Sequence, residues 1–499
     1  MRKLLMFVLI GLLSLSTSFL QVQAGTNYPS YTYDYWRNPL LSAAPYRVKQ
    51  TIIGGSVQIA LPDDPPGAPQ TLRYIEDIFV TEDRYFLIDM TAAKLVVTDK
   101  AFNVLDVIRN FDEFDDDDNL VTTHTLVRPR GVFVTDDGYI YIADENNQRD
   151  GFIYILDEDY GFVARHGRPD HPTYTSEVFR PSKIVVDVAR RMYVVVIGAF
   201  DGIVELQRDG EFSRFVGVQP VQVNPIDLLW RNFMSREQLE RVRLFLPVEY
   251  MGMSIDKEGF IYASASGTSS APIQRINPRG SDVLRRTGYV QPIGDVVRMP
   301  NQNRSGLTSI TVNTYGMYSV LDRTNKKIFT YNDEGYLNYV IGFEGDFEGN
   351  FLFPTSVSYD GELLIVSDST DTRTIITVFE PTDFGAKVNL ANRLTYQGDS
   401  IEAAEVWHDI LDMNTNYSLA YIGIGHAYYR QRDYEMAMES YRLGQDRINY
   451  SKAYKEYRRI RFEQNFPVIG SIIGGGVLVA LAWPILKDLL QKEEEADIS

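Results

Sequence analysis

One pattern recurs six times along this chain of 499 residues and constrains its fold more than any other feature. The copy from Arg128 to Gly167, RPRGVFVTDDGYIYIADENNQRDGFIYILDEDYGFVARHG, alternates apolar and polar residues, turns at DDG, and continues through three further alternating runs. Alternating runs separated by turn residues are typical of strands, so this copy predicts a four-stranded antiparallel meander. The same outline starts again at Tyr74, Arg180, Glu249, Gly306 and Phe353.

Repeats spaced by about 50 residues favour a closed ring of blades. A single four-stranded sheet cannot bury both of its faces, whereas neighbouring blades in a ring cover one another. We expect the segment from Tyr46 to supply the strand that closes the ring onto the last blade. An aspartate follows the second strand in four copies, as Asp89, Asp144, Asp322 and Asp368. A carboxylate at that place can accept hydrogen bonds from turn N–H groups, so we interpret these aspartates as structural.

The copy Arg128–Gly167 contains P-x-G-V-x-V-x-x-D-G-x-I-Y-I-A-D and in this resembles the NHL-repeat β-propellers. The third and fourth copies depart from that signature, since VVVIGAF and ASASGTS lack the aspartate. The resemblance covers roughly residues 45–390 and implies a six-bladed propeller over 46–388. It specifies function poorly, because related propellers include binding modules and lactonases of the gluconolactonase type.

The gluconolactonase-like propellers hold a divalent metal in the central channel through a glutamate, an asparagine and an aspartate. This resemblance implies Glu76 or Asp77, on the first strand of the first blade, as the first ligand. The aligned positions of the other blades supply no second carboxylate: they are Gly131, Lys183, Gly252, Ser309 and Ser356. A lysine in that ring would also oppose a cation. A metal-dependent hydrolase is therefore the second hypothesis for this chain, and the first hypothesis requires no cofactor.

Other signs of chemistry are sparse. The chain has no cysteine and no G-x-S-x-G, P-loop or H-E-x-x-H motif, so we assign no catalytic residue. His166 and His171 share a loop with Asp170, which is either a metal site or a solvent-facing loop. The acidic run Phe111–Asn119 does not fit the EF-hand register and favours a solvated loop. The net charge of −18 opposes nucleic-acid binding.

The segment 389–464 changes to a helical pattern with an internal repeat of 34 residues, which aligns Ala403 with Ala437 and Trp407 with Tyr441. Its spacing resembles the tetratricopeptide repeat. With fewer repeats than such arrays need on their own, we expect these helices to lean on the propeller or on another protein. They either hold a partner or act as a spacer. Tyr421 and Tyr428 are the candidate partner-binding residues.

Two connecting segments are also distinctive. Residues 25–45 form an arm rich in aromatic side chains, in which Tyr35 and Trp36 are candidate ligand-binding residues. Such rings either stack on a sugar or a proline-rich peptide or pack on the propeller. Asn224–Pro247 carries apolar residues at helical spacing and predicts a helix between blades.

The two ends of the chain concern location. Residues 1–24 have the order of a secretory signal peptide, cleaved after Ala24 or retained as an anchor. Residues 467–486 carry no charge and are long enough for a transmembrane helix, with a buried soluble helix as the alternative. Gly470 and Gly474 offer a smooth face for packing on another membrane helix. Residues 487–499 would be an acidic cytoplasmic tail, although the basic residues of KEYRRIRF, outside the span, oppose the positive-inside tendency.

The sequence thus predicts a mainly β fold: a six-bladed propeller, a tetratricopeptide-like helical segment and one transmembrane helix. We expect a single-pass protein of the cell membrane with its propeller on the extracytoplasmic side. The leading hypothesis is a binding or scaffolding protein with a protein partner and a carbohydrate or peptide ligand. An accessory subunit of a membrane transport complex is one setting for it. A purely structural surface protein is the third hypothesis.

Overall fold

A computed structural model describes residues 26–57, 71–115, 117, 119–146, 150–174, 176–218, 249–265, 269, 271–297 and 302–497. The predicted signal peptide, 1–24, and the predicted helix Asn224–Pro247 lie outside these residues, as do 498 and 499 of the predicted tail.

Strands dominate the first three quarters of the chain. In chain order they are β1 Ser30–Tyr33, β2 Pro39–Ser42, β3 Tyr46–Ile53, β4 Ile75–Val80, β5 Arg84–Asp89, β6 Lys94–Asp99, β7 Val104–Ile108, β8 Asn110–Phe114, β9 Leu120–Thr125, β10 Pro129–Val134, β11 Ile140–Asp144, β12 Phe152–Leu156, β13 Phe162–His166, β14 Pro181–Val186, β15 Met192–Val196, β16 Ile203–Leu206, β17 Phe212–Val216, β18 Tyr250–Ile255, β19 Ile261–Ala265, β20 Ile273–Ile276, β21 Leu307–Val312, β22 Tyr318–Asp322, β23 Lys327–Tyr331, β24 Leu337–Ile341, β25 Pro354–Asp360, β26 Leu363–Ser369 and β27 Thr374–Pro381. A short 3-10 helix, Gly54–Ser56, follows β3.

These strands form a six-bladed β-propeller. Blades 1, 2, 3 and 5 are the sheets β4–β7, β10–β13, β14–β17 and β21–β24, and blade 4 is the three-stranded sheet β18–β20. Blade 6 is β25–β26–β27 with β3 as its outer strand, so the predicted closure by the segment from Tyr46 is confirmed. The innermost strands β4, β10, β14, β18, β21 and β25 contact one another in that order, and β25 returns to β4. Each innermost strand begins at the residue after a predicted repeat start.

The recurring aspartates have the structural role that the sequence predicts. Asp144 accepts hydrogen bonds from the backbone N–H groups of Val127, Arg128 and Asn146, each at 2.8 Å. Asp322 does the same for Gly306, at 2.9 Å. Each carboxylate therefore ties the end of the second strand to the segment that enters the first strand of its own blade. Burial raises the pKa of Asp144, although these N–H groups oppose the shift.

Two hairpins lie outside the blades. β8 and β9 form one between blades 1 and 2, and the acidic run lies on β8 and at its tip, where Asp115 accepts N–H bonds from Asp117 at 2.9 Å and Asn119 at 2.8 Å. β1 and β2 form the other, within the aromatic arm. Tyr31 and Tyr33 of that arm are buried and both donate to Asp295, at 2.8 and 2.5 Å. The arm thus packs on the propeller, next to β24.

Helices follow β27 directly. They are α1 Asp383–Gln397, α2 Ser400–Met413, α3 Ser418–Arg430, α4 Tyr434–Leu443 and α5 Arg447–Asp497. The helical region therefore begins before residue 389, and its last helix begins at Arg447. Thr382 caps α1 by accepting the N–H of Gly385 at 3.2 Å. Each helix packs on the next one along the chain.

The helices also lean on the propeller, as expected. One hydrophobic core contains Phe379 of blade 6, Tyr339 of blade 5 and Trp407 of α2. Buried polar side chains cross the same interface: Tyr339 donates to Asn389 of α1 at 2.8 Å, and Tyr417 donates to the Asn338 carbonyl at 2.9 Å. Because buried polar groups without partners are costly, these bonds fix the orientation of the helices on blades 5 and 6.

The last helix extends far beyond this interface. Among the described residues, one helix is long and apolar enough to cross a membrane. It is the part of α5 from Arg447 to Lys487, and no residue of its most apolar window is buried. The predicted span 467–486 lies within it. Apart from the helix's own backbone, no atom of the described residues lies within 4 Å of where a Cβ would stand on Gly470 or Gly474.

Candidate ligand site in the propeller channel

The central channel of the propeller contains a cavity of about 810 Å³. Its wall is built from the innermost strands of all six blades, and its mouth from the first turns of several of them. The cavity runs from the level of Asp77 and Lys183 to those turns. Volumes of this order are typical of sites for small molecules.

An ion pair crosses the inner end of this cavity. Nζ of Lys183 lies 2.6 Å from Oδ1 of Asp77, and both side chains are largely buried. Asp77 also accepts hydrogen bonds from Oγ of Ser356 and from the N–H of Val132, both at 3.3 Å. Gly131 lies in the blade between the pair, where an added Cβ would stand 2.7 Å from the Ser182 carbonyl. A residue without a side chain therefore lets the backbones of β10 and β14 approach each other closely at this level.

The donors at this level do not fit a divalent metal. Glu76 pairs with Arg130, whose Nη2 lies 3.1 Å from its Oε1, and Asp77 pairs with Lys183. Both candidate ligands therefore already balance a fixed cation. Within the described ranges, no three His, Cys, Asp or Glu side chains lie close enough to hold an ion.

The wall beyond the ion pair has two chemically different sides. We call Phe79, Phe133 and Val185, from blades 1 to 3, the apolar side, and Ser254, Thr311 and Ser358, from blades 4 to 6, the hydroxyl side. These six residues occupy equivalent positions, two after the ring that contains Asp77. Because blades 1 to 3 face blades 4 to 6 across a six-bladed ring, the two sides oppose each other. The rings of Phe79 and Phe133 are 4.9 Å apart at an angle of 60°.

The hydroxyl side keeps unused hydrogen-bonding capacity. Thr311 Oγ1 accepts the N–H of Tyr359 at 3.4 Å, which leaves its own O–H free to donate. Ser358 donates to the Ile78 carbonyl at 2.6 Å and can still accept. The side-chain hydroxyl of Ser254 makes no hydrogen bond to any described residue. A ligand on this side would therefore meet both donors and acceptors.

A network of charges lies where the innermost strands of blades 1 to 3 begin, at the end farthest from the mouth of the cavity. Glu145, of which 2% of the side chain is exposed, pairs with Arg130 at 2.8 Å, with Arg128 at 3.4 Å and with Arg180. Burial alone would raise the pKa of Glu145, but the guanidiniums of Arg180, Arg130 and Arg128 together hold it below its ordinary value. Arg130 bridges Glu145 and Glu76, so the network connects blades 1, 2 and 3.

The mouth of the cavity is acidic and lies beside the helices. Acidic side chains outnumber basic ones along it, and the arginines are paired: Arg191 with Asp187 at 2.7 Å, and Arg190 with Asp137. The hydroxyl of Tyr396, near the end of α1, donates to Glu258 at this mouth over 3.4 Å. The cavity therefore opens on the face of the propeller that carries the helical region.

The remaining sequence-predicted residues lie elsewhere. Trp36 is 67% exposed at the turn between β1 and β2, and its ring contacts that of Tyr35 edge-on at 5.8 Å. Tyr35 is held by α5, because Arg447 donates to its hydroxyl at 3.3 Å. Tyr421 and Tyr428 are half-buried on α3. Burial lowers the pKa of His166.

No protein-family model matches the chain, and no curated protein matches it. Among solved structures, the chain is similar to virginiamycin B lyase from Staphylococcus aureus (11% identity, 67% of this chain and 99% of that one, TM-score 0.39). It is also similar to the PQQ-bound form of aldose sugar dehydrogenase from Streptomyces coelicolor (13% identity, 68% and 100%, TM-score 0.40). A structural genomics protein of unknown function from Bacteroides thetaiotaomicron matches at 12% identity over 70% and 90%, with a TM-score of 0.40.

Likenesses of this strength say nothing about what the chain does, and the propeller is assigned from its own strand pairing. Fold and cavity together define the class: a six-bladed β-propeller with a ligand-sized channel cavity, joined to a helical region that ends in a long exposed apolar helix.

Proposed function

We propose that the chain is a membrane-anchored binding protein that presents its propeller and helical region outside the cytoplasm to recognise a protein or a small ligand. The observation that carries the proposal is α5. This helix starts against the preceding helix and the propeller, where the Tyr336 hydroxyl donates to the Asp446 side chain at 3.2 Å, and runs unbroken into an apolar stretch that nothing in the described structure covers. An anchor continuous with a docked region would hold the propeller close to the membrane.

Recognition rather than catalysis is supported by the channel. Its carboxylates are paired with Lys183 and Arg130, and its free groups are hydroxyls and aromatic rings. The fit with a metal-dependent hydrolase is poor for the same reason. We propose that the helices on the propeller bind a protein partner, as tetratricopeptide-like repeats do. We further propose that the chain is an accessory subunit of a membrane complex.

Membrane insertion can be tested by carbonate extraction of membranes that contain the full chain or a chain ending at Asn465. We expect the full chain to stay in the membrane pellet and the shortened chain to be released. Release of the full chain by carbonate would contradict the anchor. Gly470→Leu with Gly474→Leu is the matched control, since it keeps an apolar span: it should stay in the pellet, and loss of a co-purifying membrane partner would then report on helix packing alone.

Sidedness can be tested with single cysteines, because the chain has none of its own. Asp159→Cys is in an exposed propeller turn and Ser499→Cys is the last residue. A membrane-impermeant maleimide should label Asp159→Cys in intact cells and Ser499→Cys only after permeabilisation. The reverse pattern would place the propeller in the cytoplasm and contradict the proposal.

A further inference from the structure

We propose that the channel cavity binds a pyranose ring of a neutral carbohydrate. The inference rests on the proposed function for the existence of a ligand, and on the cavity for its chemistry. The first observation is the two-sided wall. A pyranose ring presents C–H groups on a face and hydroxyls around its edge, so it needs apolar surface on one side and hydrogen-bonding groups opposite. Phe79 and Phe133, whose rings meet at an angle of 60°, supply apolar aromatic surface, and Ser254, Thr311 and Ser358 lie across from them.

The second observation is the kind of polar group on the hydroxyl side. A sugar hydroxyl both donates and accepts, so its best partners do not have all their capacity used. Thr311 has a free donor, Ser358 a free acceptor, and Ser254 has no partner among the described residues. Ser309 adds a further donor near the ion pair, because its Oγ accepts the Val357 N–H at 3.2 Å. A purely apolar ligand would leave these hydroxyls unsatisfied.

The third observation is charge. The pair of Asp77 and Lys183 is internally balanced, so the inner end of the cavity offers no net charge to a ligand. At the mouth the acidic residues Asp136, Asp137, Asp187, Asp256 and Glu258 outnumber the basic residues Arg190, Arg191 and Lys257. An anionic sugar, such as a phosphate ester, would meet this acidic mouth, and at the inner end Lys183 is already paired with Asp77. The geometry therefore favours a neutral ring over a phosphorylated one.

The experiment is saturation-transfer NMR on the full chain with the methyl pyranosides of glucose, galactose and mannose as probes. The protein is held in nanodiscs or in an amine-oxide detergent, because alkyl glucosides and maltosides themselves carry pyranose rings. We expect transfer from protein to at least one glycoside, strongest at the ring protons that contact the phenylalanines. Glucose 6-phosphate should neither show transfer nor compete.

Ser254→Ala locates the site. It removes a hydroxyl that has no internal partner, so the fold should be unaffected while binding of the responding glycoside weakens about three- to ten-fold. Ser281→Ala, on an exposed turn of the same blade, is the matched control and should leave binding unchanged. Phe133→Leu keeps an apolar side chain but removes the ring, and should abolish transfer to the ring protons.

Three results would overturn the proposal: no transfer to any of the three glycosides, equal response to glucose 6-phosphate, or the same affinity in Ser254→Ala and Ser281→Ala. These results are separable from failure of the proposed function. A chain that remains in carbonate-washed membranes yet ignores the glycosides refutes only the ligand. A chain released by carbonate that still binds a glycoside through Ser254 refutes only the anchor.

Discussion

The two halves of the propeller share one backbone and differ in what lies along the channel. In blades 1 to 3 the innermost strands carry charged and bulky residues, among them Glu76, Arg130 and Lys183, which form ion pairs between blades. In blades 4 to 6 the equivalent positions carry no charge: they are Met251, Thr308 and Thr355 and, at the level of Lys183, Gly252, Ser309 and Ser356. The second half is supported from outside instead, because the aromatic arm and the helices pack on it.

This difference shows which positions the repeat leaves free. The pattern of strands and turns, with a clamping aspartate in four of the six copies, defines a blade, but the ring of residues nearest the axis does not have to repeat. Ion pairs connect the innermost strands of blades 1 to 3, whereas hydroxyl groups line the channel in blades 4 to 6. If the comparison is right, substitutions in blades 1 to 3 should act chiefly on stability, whereas channel substitutions in blades 4 to 6 should act on binding.

The largest effect is expected for Glu145→Gln, which leaves three guanidiniums without their shared, buried carboxylate. We expect a loss of about 4 kcal/mol in the free energy of unfolding, because breaking a buried ion pair leaves uncompensated charge. Urea unfolding of the full chain in micelles measures it. Glu344→Gln, an exposed carboxylate 3.9 Å from Lys326, is the control and should change stability by less than about 0.5 kcal/mol. Equal losses in the two variants would show that the buried charge network stabilises blades 1 to 3 no more than a surface ion pair does.

The same variant has a pH signature. The arginines hold the pKa of Glu145 below its ordinary value of 4.5 despite burial, so the folded state binds this proton less tightly than the unfolded state. Its stabilising contribution is then complete above pH 4.5 and is lost as the pH falls through the folded-state pKa. The stability difference between wild type and Glu145→Gln should therefore shrink on acidification below pH 4.5. A difference that grows instead would show that the arginines do not control this carboxyl.

A somewhat smaller effect is expected for Lys183→Met, which leaves Asp77 unpaired across the channel. The cost should be about 3 kcal/mol. Adding Asp77→Asn should restore most of it, because two neutral side chains of similar size need no charge partner. Thermal and urea unfolding of the two single variants and the double variant form a double-mutant cycle. Additive losses would mean that the pair does not stabilise the ring as a unit.

The repeat itself was readable from the sequence because blade formation depends on local patterns. Alternation and turn residues located all six innermost strands, and the turn chemistry identified the role of Asp144 and Asp322. The ion pairs could not be predicted from the sequence. Alternation assigns Asp77 to one face of its strand, but it does not show which cation from a distant part of the chain lies beside it. Lys183 lies two blades away. The hairpins β1–β2 and β8–β9 were missed for a related reason: they belong to no repeat, so no second copy reveals them.

The difference between the two sides of the cavity is also visible in the sequence once the repeats are aligned. Reading two residues beyond the aligned ring in each copy gives Phe79, Phe133 and Val185, then Ser254, Thr311 and Ser358. That column changes character between blades 3 and 4, and only a known ring order shows that its two halves face each other. The sequence predicts that the helices need support from the propeller or from another protein. It does not predict which blade α1 packs on, because its partners, such as Tyr339, come from another part of the chain.

An intermediate effect is expected for Asp322→Ala in blade 5. Its carboxylate satisfies the buried N–H groups of Gly306, Thr324 and Asn325, at 2.9, 3.0 and 3.0 Å. Leaving them unpaired should cost about 2 kcal/mol in the free energy of unfolding. Asp322→Asn keeps one acceptor oxygen and should cost less, which urea unfolding can resolve. Since this clamp belongs to the shared backbone, a negligible loss would show that the half of the ring with external support does not need it.

A smaller effect is expected for Tyr33→Phe in the arm. The hydroxyl donates to Asp295 at 2.5 Å and accepts the N–H of Val296 at 3.1 Å, while Lys327 and Tyr31 still satisfy the carboxylate afterwards. The loss should be about 1 kcal/mol, measured by thermal unfolding. Tyr35→Phe removes only the solvent-exposed hydrogen bond from Arg447, so it is the matched control and should cost less than about 0.5 kcal/mol. A zero effect at Tyr33 would mean that the arm does not support blades 4 and 5.

The smallest effect on stability is expected for Trp36→Ala, and this variant separates support from recognition within the arm. Trp36 is 67% exposed and touches chiefly Tyr35, so its loss should change the free energy of unfolding by less than about 0.5 kcal/mol. Its neighbours Tyr31 and Tyr33 already account for the packing of the arm on the propeller. If Trp36 recognises a ligand, a glycoside or proline-rich peptide should shift the tryptophan fluorescence of the wild type and leave that of Trp36→Ala unchanged. An equal response in both would show that another tryptophan reports the binding and that Trp36 is not the residue that recognises the ligand.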